Sequence, residues 1–234
     1  MFFFHWSELL LIPGALLSMW ASMRVQGTYN KYSQVSSSLG MTGAEVAAAI
    51  LNRMGVDDVR IEHIGGQLTD HYDPGAKTVR LSDVVYDSTS LAAAAVAAHE
   101  CGHVLQDVQD YKFMNLRAAI FPATQFGSTL APWLVMLGFG LTFLSKALGV
   151  IVLQVGIVLF GAVVLFHLVT LPVEFDASNR ALKIIDELGI LQGEENRAAR
   201  KVLNAAAFTY IAAALVAALQ LLQYVIMLLS ASRE

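Results

Sequence analysis

Between Leu91 and Asp107 the sequence reads LAAAAVAAHECGHVLQD, and its chemistry is concentrated in His99-Glu100-Cys101-Gly102-His103. The Ala-rich run with Leu91 and Val96 predicts a helix, on which two histidines four positions apart stack on one face. Imidazoles placed in this way can grip a single zinc ion. Glu100, one step further round the helix, need not ligate the metal and can take a proton from the water that the metal activates. This is the HExxH arrangement of zinc-dependent peptide hydrolysis. A five-residue pattern with three fixed positions also arises by accident, but here it lies in an apolar helix, where two His and a Glu are costly to bury without partners.

The composition says where such a helix must live. The chain has 234 residues, of which 56% are hydrophobic and only 15% charged, and its mean hydropathy is +0.57. That is too apolar for an ordinary soluble domain and reads as a membrane protein. From Ala118 to Val173 the only formal charge is Lys146, and from Val202 to Ser232 there is none. One crossing takes about 20 apolar residues, so these stretches hold two spans and one span respectively. A net charge of −4 offers no basic surface, which excludes nucleic acid as a partner. The single Cys101 cannot form an intramolecular disulfide; two positions after His99, it points away from the face the histidines share and reads as a small buried residue.

The elements around the motif follow in order. Met1 to Met23 is apolar but lacks the basic start of a signal peptide, so it reads as an uncleaved span with Arg24 at its cytoplasmic end. A polar linker over residues 26–40 leads to Thr42-Gly43-Ala44-Glu45, a capping box opening a helix that runs to Met54 and stops at Gly55. Residues 58–62, 67–71 and 77–81 read as a small antiparallel sheet, with Lys77 to Leu81 the candidate edge along which an extended peptide pairs. Asp87 or Ser88 is the expected cap of the metal helix. The long apolar stretch splits at Ser145-Lys146 into spans near 124–144 and 149–171, the second about 34 Å long. After Pro172 a polar helix is expected to begin at Glu174, followed by helical material broken at Gly189 and Gly193 and a last span from about Ala205 to Leu229.

A catalytic zinc keeps three protein ligands and one open position, and the two histidines leave one ligand to find. A carboxylate near the start of the 174–180 segment is the candidate, with Glu174 and Asp176 nearly equal on spacing. If the spans alternate from an outside N-terminus, residues 24–118 and 174–201 are both cytoplasmic. The first carries Arg24, Lys31, Arg53, Arg60, Lys77, Arg80, Lys112 and Arg117, the second Arg180, Lys183, Arg197, Arg200 and Lys201, against only Lys146 and Arg233 outside. This asymmetry fits the positive-inside rule. It also puts His99, His103 and the acidic candidates on one side of the membrane.

The HECGH motif, Thr69 to Pro74 (TDHYDP) and Leu171 to Ser178 (LPVEFDAS) together resemble the YugP-type neutral zinc metallopeptidases of bacterial membranes, over nearly the whole chain. More distantly they are similar to HtpX-type membrane peptidases, in which a Glu ligand follows in an ExxxD pattern beyond membrane spans. The resemblance implies Glu174 as the third ligand. The pattern's Asp falls on Ser178, so the carboxylate that orients a ligand histidine is absent or is replaced by Asp176.

The expected protein is therefore a mainly α membrane protein with about four transmembrane helices and a small α+β, zincin-like catalytic domain. Its domains are a first span over 1–23, a cytoplasmic HExxH domain over 24–118, two spans over 119–173, a cytoplasmic segment over 174–204 and a last span over 205–234. The expected activity is gluzincin-like: His99, His103 and Glu174 hold Zn²⁺, and Glu100 is general base, on misfolded or membrane-proximal polypeptide. Tyr72, His71 and Arg180 are candidates to stabilise the oxyanion, and His167 is a candidate partner of the ligand shell. Other expected partners are the bilayer, membrane proteins and a second copy of the chain. A membrane scaffold with a structural or vestigial zinc is the alternative, and a transporter is disfavoured because only Lys146 and His167 interrupt the spans.

Overall fold

The computed structural model describes residues 6–233. A 3-10 turn, Trp6–Leu10, leads into α1 (Leu11–Tyr32), followed by α2 (Gly43–Arg53), β1 (Arg60–Ile64), β2 (His71–Asp73), β3 (Thr78–Ser82), α3 (Leu91–Val108), α4 (Lys112–Thr142), α5 (Lys146–Glu187) and α6 (Gly193–Arg233). Residues 1–5 of the expected first span and Glu234 lie outside the described residues. The chain divides into two compact units. One comprises Met1–Ala21, Asn115–Leu171 and Thr209–Glu234; the other comprises Ser22–Met114 and Pro172–Phe208.

The first unit is all helix. Phe126, Trp133, Met136 and Val158 are each at least 60% exposed, an apolar surface too extensive for a water-facing face. Its interior is built by small residues that let backbones approach. A Cβ added at Gly127 would meet the Leu159 carbonyl oxygen at 2.7 Å, and one at Gly138 would meet the Leu153 nitrogen at 2.6 Å, so α4 and α5 touch almost backbone to backbone. Among the described residues three helices are long and apolar enough to cross a membrane: Trp6–Tyr32, Lys146–Glu187 and Gly193–Ser232. α4, which contains the expected span 124–144, is not among them, because Gln125, Ser128, Thr129 and Pro132 dilute its apolar run. The expectation of four spans thus meets three.

The second unit encloses α3. Its core joins Val46, Ile50, Val79, Leu81, Val85, Ala94, Ala98, Val104, Ile185 and Leu191. The alanines of α3 are explained by this enclosure, since small side chains let neighbours close in on several sides. α2 begins as expected, with Thr42 Oγ1 accepting from the Glu45 N–H at 3.2 Å and Glu45 Oε2 accepting from the Thr42 N–H at 2.8 Å. Gly55, at φ +66°, ends it.

Several sequence expectations are corrected here. The sheet has the order β1-β3-β2, with β1 parallel and β2 antiparallel to β3, so it is mixed. Lys77 to Leu81 falls on the central strand, not on an edge; four of the five residues of β3 are buried, as an inner strand requires. The loop after β1, with Leu68 at φ 56°, carries the chain past β3 to its far side. Ser90, not Asp87 or Ser88, caps α3 by accepting from the Ala93 N–H at 3.1 Å. No new helix begins at Glu174, because α5 runs unbroken through Pro172. Proline costs that helix one N–H donor, but its fixed φ is helical, and Pro172 follows a long apolar stretch of the kind in which an internal proline is tolerated.

Candidate metal centre

The site belongs wholly to the second unit and is made where α5 meets α3. Gly102 permits the contact: a Cβ there would lie 2.4 Å from the Ala177 carbonyl oxygen. At this separation Glu174, three residues before Ala177, reaches the histidine face of α3. Its Oε2 lies 3.3 Å from His99 Nε2 and 3.7 Å from His103 Nε2. The three side chains retain 15%, 12% and 3% of their exposure, in the order His99, His103, Glu174, and one ligand atom from each lies within 4.8 Å of the others.

These distances and donors suit zinc. Ligands about 2.0–2.1 Å from a tetrahedral ion are about 3.3 Å apart along each edge. The imidazole–carboxylate separations are close to that edge, and two nitrogens with one oxygen form a donor set found in catalytic zinc sites.

Both imidazoles are held from behind. His99 Nδ1 lies 3.1 Å from Ser178 Oγ, so the serine at the position of the missing carboxylate takes up that contact itself. His103 Nδ1 lies 2.9 Å from Gln106 Oε1, and the amide nitrogen of Gln106 donates to the Val173 carbonyl and to Asp176 Oδ2, each at 2.8 Å. The two acceptors fix which way the amide points. Its oxygen therefore faces His103, so Nδ1 carries the proton and the Nε2 lone pair points to the ligand cluster. Asp176 in turn accepts from Arg180 Nε, and Arg180 also donates to Gln109 Oε1. Asp176 thus acts on His103 through Gln106, a residue the sequence analysis did not single out. Its signal was a glutamine three positions after His103 on a helix facing the core; in the structure it is fully buried.

Charge follows from burial and pairing. Burial pushes the Glu174 carboxyl up, but when the imidazoles of His103 and His99 are charged and carry a proton on Nε2 as well, they outweigh it and hold the group well below the usual carboxylate range. Burial pulls His103 down, and Glu174 and Glu100 more than reverse it, so its pKa is raised. Glu100 is buried, and that burial raises its pKa against the opposing pull of His99 and His103. Cys101 points into the core with Sγ 3.8 Å from the Ala47 carbonyl, and burial raises its thiol pKa.

The remaining candidates are engaged elsewhere. The Tyr72 hydroxyl donates to Asp107 Oδ2 at 2.7 Å, and Lys77 Nζ approaches the same oxygen at 2.6 Å. This contact ties β2 to α3 one turn beyond His103. The TDHYDP stretch is explained by turn chemistry: Asp70 accepts from the Ser82 N–H and hydroxyl, and Asp73 accepts from the N–H groups of Gly75 and Ala76. His71 Nδ1 contacts the Thr69 carbonyl at 2.8 Å. His167 belongs to the other unit and packs edge-on against Phe166; the groups behind His99 and His103 are Ser178 and Gln106.

A family model described as "Putative neutral zinc metallopeptidase" matches residues 7–229. The chain belongs to this family. Among curated proteins, this metallopeptidase-family chain is similar to "Putative membrane protease YugP" of Bacillus subtilis (strain 168), with 45% identity over 225 residues that cover 96% of the chain and 97% of the relative. No solved structure matches it.

Proposed function

We propose that the protein is a membrane-integral, zinc-dependent endopeptidase acting on misfolded or membrane-proximal polypeptides. The observation that carries this reading is the placement of His99 Nε2 and His103 Nε2 at 3.3 and 3.7 Å from Glu174 Oε2, on two helices far apart in sequence. His99, His103 and Glu174 hold the ion, with Ser178 and Gln106 fixing the imidazoles. Zinc at such a site supplies Lewis acidity, which lowers the pKa of a water and polarises a carbonyl.

Glu100 is the general base in this reading. A carboxyl whose proton affinity is raised by burial can take a proton from the attacking water and then give it to the leaving amine, because its pKa lies nearer the working pH. The substrate pairs as an added strand along β2. Among the described residues β2 pairs only with β3, which leaves its other edge to accept an extended chain, and Tyr72 fixes that strand to α3.

The protein sits in the plasma membrane as a multi-pass protein with four spans, the fourth being α4, and its catalytic unit faces the cytoplasm. The thirteen Lys and Arg of residues 24–117 and 180–201, against two elsewhere, support this orientation. The test uses purified full-length protein in detergent and an unfolded polypeptide such as casein. One zinc per chain with cleavage abolished by chelator and by Glu100→Gln is expected; zinc retained without cleavage of any polypeptide contradicts the enzyme reading and leaves the scaffold.

A further inference from the structure

The first unit contains a cavity of about 640 Å³, and every residue that lines it belongs to that unit. Its polar wall is made by Glu8, in the 3-10 turn before α1, and by Gln220, Gln223 and Tyr224 of α6. On α6 these three and Met227 stand at i, i+3, i+4 and i+7, a single helix face. Val135 and Met136 of α4 add apolar wall. The space is therefore apolar with a few polar groups set into it, the character of a small-molecule site.

Glu8 is the one carboxylate among the described residues of this unit. It stands in Trp6–Tyr32, a stretch long and apolar enough to cross a membrane, where an ionisable side chain is costly and marks a functional site. Among the described residues it makes no ion pair or hydrogen bond. The amides of the same wall are also incompletely satisfied. Gln223 is only 5% exposed, and its Oε1 accepts from Gln220 Nε2. Its own Nε2 reaches, among the described residues, no acceptor but the Met227 thioether, 3.9 Å away and weak. The Gln220 carbonyl oxygen and the buried Tyr224 hydroxyl have no hydrogen-bond partner among the described residues. A carboxylate, an amide oxygen and a hydroxyl thus offer acceptors for the three N–H groups of a primary ammonium, and the carboxylate supplies the opposite charge. The apolar wall suits a hydrocarbon tail.

We propose that this cavity binds a primary ammonium group carried on an apolar tail, that of an aminophospholipid or of a free alkylamine. The site is independent of the metal centre and of the peptidase reading. Purified, delipidated full-length protein is mixed with phosphatidylethanolamine, phosphatidylcholine or phosphatidylglycerol, and separately with dodecylamine or dodecanol, and the ligands retained are counted by native mass spectrometry. Wild-type protein should retain phosphatidylethanolamine over phosphatidylcholine, whose methylated nitrogen has no N–H, and over anionic phosphatidylglycerol. Dodecylamine should be retained over dodecanol, which has the same chain and no charge. Selection of dodecylamine without selection of phosphatidylethanolamine assigns the site to a free alkylamine. Glu8→Gln should weaken binding of the selected amine about 10–100-fold, the worth of a charge-assisted hydrogen bond. A Cβ added at Gly140, which also lines the cavity, would meet nothing within 4 Å. Gly140→Leu should therefore narrow the space and weaken binding with the carboxylate in place. Equal retention of phosphatidylethanolamine and phosphatidylcholine together with equal retention of dodecylamine and dodecanol, or amine binding unchanged in both variants, overturns the proposal.

Discussion

Gln106 Oε1 lies 2.9 Å from His103 Nδ1, and the same amide donates to Asp176 and to the Val173 carbonyl. One buried side chain thus sets the tautomer of His103 on α3 and ties it to α5. Replacing it with Leu leaves the His103 N–H and the Asp176 carboxylate without this partner. Zinc affinity, measured by competition with a chromophoric chelator, should fall about 10–100-fold in Gln106→Leu, as expected for loss of an outer-sphere partner, and less in Asp176→Asn, which keeps an acceptor oxygen. An affinity equal to wild type in Gln106→Leu would show that the orientation of His103 does not depend on this amide.

Glu100→Gln separates binding from proton transfer. The amide is isosteric and is not one of the three ligand groups, so zinc content should stay at one per chain while polypeptide cleavage falls by at least about 10²–10⁴-fold, the usual worth of a positioned base. Paired metal analysis and cleavage assays check this. Loss of zinc in the same variant would make Glu100 part of the ligand set.

The metal-free and zinc-loaded proteins should respond to pH with opposite signs. Without metal, His103 has a raised pKa because Glu174 and Glu100 favour its charged form over the cost of burial. The stability from that pairing is fully present below about pH 6.5, the unfolded value, and is lost as pH rises through the raised folded value. Zinc needs the deprotonated imidazole, so its binding strengthens over the same range. The gap in Tm between zinc-loaded and chelator-treated protein should therefore widen from pH 6 to pH 8. A gap that narrows would contradict the assignment of His103 as a ligand.

Gly102→Ala tests the helix contact that makes the site. Its Cβ would meet the Ala177 carbonyl oxygen at 2.4 Å, and backbone cannot step aside as a flexible side chain can. Destabilisation of about 1–3 kcal/mol is expected, with weakened zinc binding because Glu174 is carried away with α5. Thermal unfolding in detergent measures the first and chelator competition the second.

How much of this was legible in the sequence depends on the kind of signal. The His99/His103 pair was readable because helical periodicity alone puts residues four apart on one face, and the Thr42 capping box because its two hydrogen bonds are local. Choosing Glu174 over Asp176 needed the family resemblance. Two residues turn a helix through about 200°, so only the structure shows that one carboxylate faces the imidazoles and the other faces Gln106. The inner position of β3 was hidden because a short strand with alternating residues reads alike at an edge or at a centre. The continuity of α5 through Pro172 was missed because proline reads as a local stop signal, whereas a long apolar helix tolerates one inside it. The cap of α3 was expected at Asp87 or Ser88 and falls on Ser90, because capping side chains two or three positions apart look alike in the sequence and only tertiary contacts decide among them.

The central claim is that two imidazoles of α3 and one carboxylate of α5 share a single ion. X-ray absorption at the zinc edge of the purified full-length protein tests it most directly. The account predicts a shell of nitrogen and oxygen at about 2.0–2.1 Å with two imidazole signatures, and loss of bound zinc in Glu174→Ala. A sulfur shell at about 2.3 Å, which would bring in Cys101, or a spectrum unchanged in Glu174→Ala, would contradict it.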